Sequence, residues 1–292
     1  MSDHSSYQVF APPPELEPFV ECFWDLVGPA SATPAEPEIV LPDGKTELIV
    51  HFGDDFFKFE RNRETAKGEY ARQARVLMSG QLTERILLRS SGSVGVVSVR
   101  FKAAGAARFF VLPYEEIVDQ VIDFSKYEME AAATLARRIG ESSTPALRIQ
   151  VLQDFLIGRL QKHESKEDLF VRQACQYIVQ SEGSYSVQEL AKLIGFSQRQ
   201  LERKFKQQVG ITPKLLSRIM RFQKFIALSR SSRDMTLAEA SVSCGYYDQP
   251  HFIRDFMEFS GVSPRDYLSS AHPMSDHLTT PAQRQMSDFY NS

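Results

Sequence analysis

Cysteine is scarce in this 292-residue chain: Cys22, Cys175 and Cys244 lie far apart and are odd in number. They supply neither a disulfide framework nor zinc spacing, and they suit a reducing, cytoplasmic setting. Long apolar runs are missing too. None reaches about 18 residues, so no membrane span is expected. The polar opening Met1 to Tyr7 lacks the basic-then-apolar signature of a signal peptide. The glycines fall into neither GxGxxG nor phosphate-loop spacing. Ser91-Gly92-Ser93-Val94-Gly95 misses the spacing of a nucleophile elbow. His51 has no HxH or HxxxH companion, which argues against a metal. With no nucleophile–base pair in any motif, no catalytic residue, metal or cofactor is expected, and enzyme chemistry is disfavoured.

What is there is a chain of 42% apolar and 24% charged residues, an ordinary soluble composition and long enough for two domains. The net charge of −3 conceals an asymmetry. Residues 165–271 hold 15 Lys and Arg against 11 Asp and Glu, while the remainder holds 19 against 26. A basic excess on one segment is what phosphate neutralisation needs, although an excess of this size does not make the case alone.

The same segment carries a repeat. Leu201, Phe205, Gly210 and Pro213 recur as Phe252, Phe256, Gly261 and Pro264, with gaps of 4, 5 and 3 residues in both and an offset of 51. Upstream of each copy lies a shorter helix-like segment that ends in Gly195 or Gly245. Ser186 with Glu189, Thr236 with Glu239, and Ser197 with Gln200 read as capping boxes. Asp248 is the natural N-cap before Pro250, and Thr212-Pro213 and Ser263-Pro264 open further helices. Each unit reads helix, glycine turn, helix, glycine stop. In such a helix-turn-helix the second helix can lie in a DNA major groove. Between the units Leu215, Ile219, Phe222 and Ile226 mark one apolar face of a helix from Pro213 to Arg230. About 17 residues make a rod of roughly 25 Å, comparable with the ~34 Å between successive major-groove segments.

Leu190-Ala191, Gly195-Phe196-Ser197, Leu201, Arg203, Phe205, Gly210 and Pro213, followed by Gly245-Tyr246, Gln249-Pro250-His251-Phe252, Arg254, Phe256, Gly261, Ser263-Pro264 and Tyr267, resemble the DNA-binding domain of AraC/XylS-type transcription regulators. This chain departs from that pattern at Ser241, where a small apolar residue is usual, and at Met257, where a basic one is common. The resemblance implies an all-α domain over residues 165–271, two helix-turn-helix units joined by a linker helix, and double-stranded DNA and RNA polymerase as partners.

The first 164 residues read differently. Residues 1–18 are polar and proline-rich. Val20, Cys22, Trp24 and Leu26 alternate on one face of a strand. Ala30 to Pro37 is a proline-spaced loop. Ile39-Val40-Leu41, Asp43-Gly44 and Thr46 to Phe52 read as a hairpin. Phe56–Glu60, Val76–Gly80, Ile86–Ser90 and Val94–Phe101 are further strands, which together suggest a barrel or sandwich. Ala103 to Leu112 and Glu128 to Ile139 read as helices. Pro145 to His163 is amphipathic, with Leu147, Val151, Phe155 and Leu156 along one side, and is read either as the homodimer interface or as packing on its own barrel. Gln161 to Glu167 is a charged hinge, and residues 272–292 are a polar tail. Pro18-Phe19-Val20-Glu21-Cys22-Phe23-Trp24, Leu41-Pro42-Asp43-Gly44 and Val99-Arg100-Phe101 with Gly105-Ala106-Ala107 resemble the cupin-like N-terminal domain attached to many AraC-type regulators. That resemblance implies a β-barrel that senses a small-molecule effector or dimerises. Overall an α+β chain is expected.

Helix geometry nominates the reading residues. With Leu201 and Phe205 in the core, Arg199, Arg203 and Lys206 share the opposite side, and Glu202 flanks them. Arginine can clamp guanine and a glutamate can accept from cytosine. In the second unit Gln249, His251 and Arg254 remain for DNA, with Asp255 and Glu258 diluting the positive charge. Trp24, His51, Arg100 and Tyr114 are the candidates for a ligand pocket. The expected function is a sequence-specific transcription regulator. The alternative, a cupin-like barrel enzyme with a DNA-targeting domain, lacks metal ligands and a nucleophile–base pair.

Overall fold

The structure, a computed structural model, describes residues 6–29, 37–61, 68–160, 166–231 and 236–269. The core of the expected hinge, most of the proline loop and the polar tail lie outside the described residues. The architecture is mixed α+β: an N-terminal domain built on sheet and a C-terminal domain built on helix.

The N-terminal strands are β1 (Ser6–Phe10), β2 (Val20–Gly28), β3 (Glu38–Val40), β4 (Thr46–His51), β5 (Phe56–Arg61), β6 (Gly68–Arg72), β7 (Val76–Ser79), β8 (Ile86–Ser90), β9 (Val94–Phe101) and β10 (Val121–Asp123). They form a six-stranded sheet in the order β1-β2-β9-β4-β7-β10 and a four-stranded sheet in the order β3-β8-β5-β6. Residues from both sheets line a cavity between them. The three strands absent from the sequence reading, β1, β6 and β10, all lie at sheet edges. An edge strand has one neighbour and needs a weaker apolar pattern, so it leaves less trace in the sequence.

Three expectations about the strands and turns of this half are corrected. Val20 does not share a face with Cys22 and Trp24. A β-bulge between Val20 and Cys22 shifts the register, so Val20 joins the core under the helices while Cys22 and Trp24 face the cavity side. Asp43-Gly44 does not close a hairpin. β3 pairs with β8 and β4 pairs with β7 and β9, so this turn carries the chain from one sheet to the other. Ala103 to Leu112 forms only a short 3-10 turn over Ala106–Arg108. Lys102 N–H donates to the Phe19 carbonyl, and Ala106, Phe109, Phe110 and Leu112 are buried in the core.

Helices α1 (Met129–Gly140) and α2 (Pro145–Ile157) cover the outer face of the six-stranded sheet. Thr144 caps α2 by accepting from Leu147 N–H. Arg148 is buried and forks onto the equally buried Asp25 of β2 at 2.6 and 2.9 Å. Val151, Leu152 and Leu156 are buried in the same core, whereas Leu147 is half exposed. Val151 and Leu156 of the stripe therefore pack on their own domain, the second of the two readings of this segment, while Leu147 stays outside.

The C-terminal helices are α3 (Lys166–Gln180), α4 (Val187–Ile194), α5 (Gln198–Gln208), α6 (Pro213–Ser231), α7 (Leu237–Ser243), α8 (Gln249–Ser260) and α9 (Pro264–Ser269). The expected capping boxes open α4, α5 and α7. Gly195 and Gly245, which follow α4 and α7, have φ of +78° and +75°, the left-handed turn that glycine adopts without a Cβ penalty. Burial on α6 extends past one stripe: Leu216, Ile219, Met220, Phe222, Phe225 and Ile226 are all enclosed. Both helix-turn-helix units and the N-terminal domain pack around it. Leu41, Ala103 and Ala104 join this helical core, and Gln223 Nε2 donates to the Pro42 carbonyl at 2.6 Å.

Candidate nucleic-acid interface and interior cavity

The surface of α5 follows from its start. Ser197 accepts from Gln200 N–H while the Gln200 side chain accepts from Ser197 N–H at 2.9 Å, which fixes the entry of the chain. Leu201 and Phe205 then point inward and are fully buried. On the opposite side of the helix Arg199, Arg203 and Lys206 are exposed, and Glu202 is half-buried. Gln198 Nε2 donates to Glu202 at 2.9 Å. Lys206 is not free: its ammonium pairs with Glu115 of the N-terminal domain. Sequence reasoning missed that partner because 91 residues separate the two.

In α8, Asp248 caps the helix by accepting from His251 N–H at 2.8 Å, and Phe252 and Phe256 are buried. Arg254 is exposed, and Gln249 and His251 are half-buried. Asp255 does not dilute the charge of this face as expected. It is buried, and with Glu258 it holds Arg218 of α6, at 2.8 and 2.6 Å from Nη2. These carboxylates fasten the second unit to the linker helix. The structure adds Tyr247, 95% exposed immediately before the Asp248 cap. The double aromatic Tyr246-Tyr247 was the available signal; Tyr246 is buried, and Tyr247 is left outside.

Of the four pocket candidates, Trp24, His51 and Arg100 line the cavity between the sheets, a partly open space of about 90 Å³. Tyr114 does not. Its ring lies in the core beneath the helices and its hydroxyl donates to the Phe110 carbonyl at 3.3 Å. Sequence reasoning also missed Glu47, whose carboxylate accepts from Arg100 Nη1 at 2.9 Å, Ser98 Oγ at 2.8 Å and Trp24 Nε1 at 3.1 Å. Burial pushes the Glu47 carboxyl up to about 7, against the hydrogen bonds from Ser98 and Trp24. Arg100 also pairs with Asp43, and Lys45 with Glu21. His51 is lowered to about 4 by burial, with the charge of Arg75 adding to the effect. Among the described residues no cluster of His, Cys, Asp and Glu could hold a metal ion.

Residues 169–270 match the family described as a helix-turn-helix domain. The C-terminal domain is a helix-turn-helix domain of the AraC/XylS type. Residues 8–123 match a domain of unknown function. Among curated relatives, the HTH-type transcriptional regulator CdhR of Pseudomonas aeruginosa is 28% identical over 138 residues, 43% of this chain and 41% of the relative. GbdR of the same organism is 32% identical over 81 residues, 27% of this chain and 21% of the relative. The chain thus spans about two fifths or less of the length of these relatives. Among solved structures, ToxT from Vibrio cholerae covers 84% of this chain and 97% of its own at 10% identity and a TM-score of 0.45. The AraC/XylS-type domain accounts for every buried aromatic of α8, since Phe252, Phe256 and Phe259 all join the single helical core. No helix among the described residues is long and apolar enough to cross a membrane.

Proposed function

We propose that this chain is a sequence-specific DNA-binding transcription regulator. In this reading α5 and α8 enter successive major-groove segments, and the N-terminal domain, cupin-like in its resemblance, senses a small molecule. One observation carries the DNA reading: α5 exposes Arg199 and Arg203 on the side opposite the fully buried Leu201 and Phe205. Arginine at such a position can clamp guanine O6 and N7. α6 is 19 residues long, roughly 28 Å, a length that suits two reading helices about one DNA turn apart. Gln249, His251, Arg254 and Tyr247 are the reading or backbone-contacting set of the second unit.

The sensing reading rests on the turn between β3 and β4. Leu41, Asp43 and Lys45 line the cavity. The same turn meets α6 through the Pro42 carbonyl and through Gly44, which packs at Leu216 and Met220. A ligand that moved this turn would move the helix to which both reading units are attached. A homodimer belongs to the proposal, through a surface other than the buried stripe of α2.

The test is a footprint of the intact protein on fragments of its source genome. A protected site with two segments about one helical turn apart is the expected result. Arg203→Ala should lose site preference while keeping salt-sensitive general binding. Uniform coverage of all fragments by the intact protein would refute sequence reading.

A further inference from the structure

The cavity between the sheets has one saturated end and one unsatisfied side chain. At the saturated end the ions answer each other. Asp43 and Glu47 hold Arg100, and Glu21 holds Lys45. The second oxygen of Glu47 accepts from Trp24 and Ser98. Arg100 Nε lies 4.0 Å from Glu21 and makes no hydrogen bond, but two carboxylates already meet the charge of the group.

His51 stands apart from that network. It lines the same cavity, is only 7% exposed, and neither Nδ1 nor Nε2 has a hydrogen-bond partner. Its ring stacks on Phe56 with centroids 4.6 Å apart, so it is oriented rather than loose. A neutral imidazole carries one N–H donor and one lone-pair acceptor. Burying both unmade is unfavourable, and a ligand that makes them recovers that loss. Burial holds the imidazole neutral at physiological pH. Outside the charged end most of the lining is apolar, among it Val40, Ile49, Phe56, Ile86 and Val96, with Gln73 and Ser79 as polar members.

We propose that this cavity binds an uncharged, mainly apolar small molecule carrying a hydroxyl group, with His51 as its polar anchor. The proposal rests on the reading of the N-terminal domain as a sensor and adds the chemical class. A carboxylate or ammonium would need a counter-charge, and the charged groups that line the cavity, Asp43, Lys45, Glu47 and Arg100, are engaged with one another and with Glu21, while Arg75, whose charge reaches His51, is not part of the lining and donates to the Gly53 carbonyl. An ion buried without a partner is strongly disfavoured. A hydroxyl needs only one acceptor or one donor, which a neutral imidazole supplies.

Trp24 is the only tryptophan in the chain and lines this cavity, so its fluorescence reports occupancy without a label. The intact protein is titrated at neutral pH with 4-tert-butylphenol and, separately, with 4-tert-butylbenzoate, which share an apolar body and differ in charge. Saturable change with the phenol, at least about tenfold tighter than with the benzoate, is expected. His51→Leu should weaken the phenol on the order of tenfold, the scale of one neutral hydrogen bond, and His51→Gln should restore part of it. Should His51→Leu fail to fold, the His51 imidazole nitrogen shifts of the wild-type protein give the same answer, since the phenol should move them. Equal or tighter benzoate binding, no saturable change with either compound, or a phenol response indifferent to His51 would overturn the proposal. The footprint decides the regulator reading separately: a retained footprint beside a failed phenol titration refutes the ligand class alone.

Discussion

The two domains handle charge in opposite ways. The N-terminal domain buries it: Arg148 with Asp25, Arg100 with Asp43 and Glu47, and a neutral His51. The AraC/XylS-type domain keeps most of it outside. Arg199, Arg203 and Arg254 are exposed, and its capping side chains lie at helix starts on the surface. Arg218 with Asp255 departs from this pattern and joins two helices of that same domain. The contrast matches what each half is proposed to contact. A duplex is met at a surface, where cations must stay accessible. A small molecule is met inside, where a few fixed polar groups can be selective because water is excluded.

The largest effect that would break this comparison is expected at Arg148. Arg148→Met leaves Asp25 buried without its partner, and loss of one member of a buried pair costs about 3–5 kcal/mol. Urea denaturation followed by circular dichroism measures it. A loss below about 1 kcal/mol would mean that the N-terminal domain does not depend on its buried charge.

His51 comes next, through pH. Its folded pKa of about 4 lies below the usual 6.5, so the unfolded chain binds the proton first as pH falls. The stability due to a neutral His51 is complete above about 6.5 and is lost as pH falls toward 4. Between pH 7 and pH 5 this amounts to about 2 kcal/mol. The stability gap between wild type and His51→Leu should move in favour of the variant by that amount over the same interval. A gap independent of pH would place a solvated imidazole where the cavity requires a dry one.

The glycine turns sharpen the comparison at the domain boundary. Gly210 has φ of +91°, and a Cβ there would overlap the Tyr114 carbonyl oxygen of the other domain. Gly195 has φ of +78°, but a Cβ would meet nothing within 4 Å. Gly195→Ala should therefore carry only backbone strain, about 1 kcal/mol. Gly210→Ala should cost more, about 1–3 kcal/mol, and loosen the domains. Calorimetric melting of both variants ranks them, and equal losses would show that the interdomain contact is soft.

On the DNA side, Arg199→Ala and Arg203→Ala should each remove roughly 1–3 kcal/mol of discrimination at one base position, read from binding to a set of single-base operator variants. Uniform weakening across that set would turn these arginines into phosphate contacts. The smallest effect belongs to Glu115→Gln, which releases Lys206 from an exposed pair. Tighter general DNA binding by less than about 1 kcal/mol is expected, and weaker binding would show that Glu115 orients the lysine for DNA.

Much of the helical half was legible in the sequence. Ser186, Ser197, Thr236 and Asp248 act within three residues of their partners, and Gly195 and Gly245 obey a local backbone rule. Leu201 with Phe205, and Phe252 with Phe256, announce their burial by helical spacing alone. The N-terminal site was legible only in part. Trp24, His51 and Arg100 could be nominated, but Glu47, Asp43 and the loss of Tyr114 depended on which strands pair.

The sequence by itself determined the elements whose causes are local: caps, glycine turns, the duplicated unit, and the central strands with strong alternation. Tertiary structure decided the rest. It placed β3 and β4 in different sheets, so Asp43-Gly44 became a bridge to α6 rather than a hairpin. It turned Val20 over at a bulge, enclosed Val151 and Leu156 of α2, and tied Lys206 to Glu115 and Asp255 to Arg218. The reason is range. Helical spacing and capping are set by hydrogen bonds across three or four residues, which any short window of sequence contains. Strand pairing, register and buried ion pairs join residues tens of positions apart, and their partners are fixed only when the whole chain has packed.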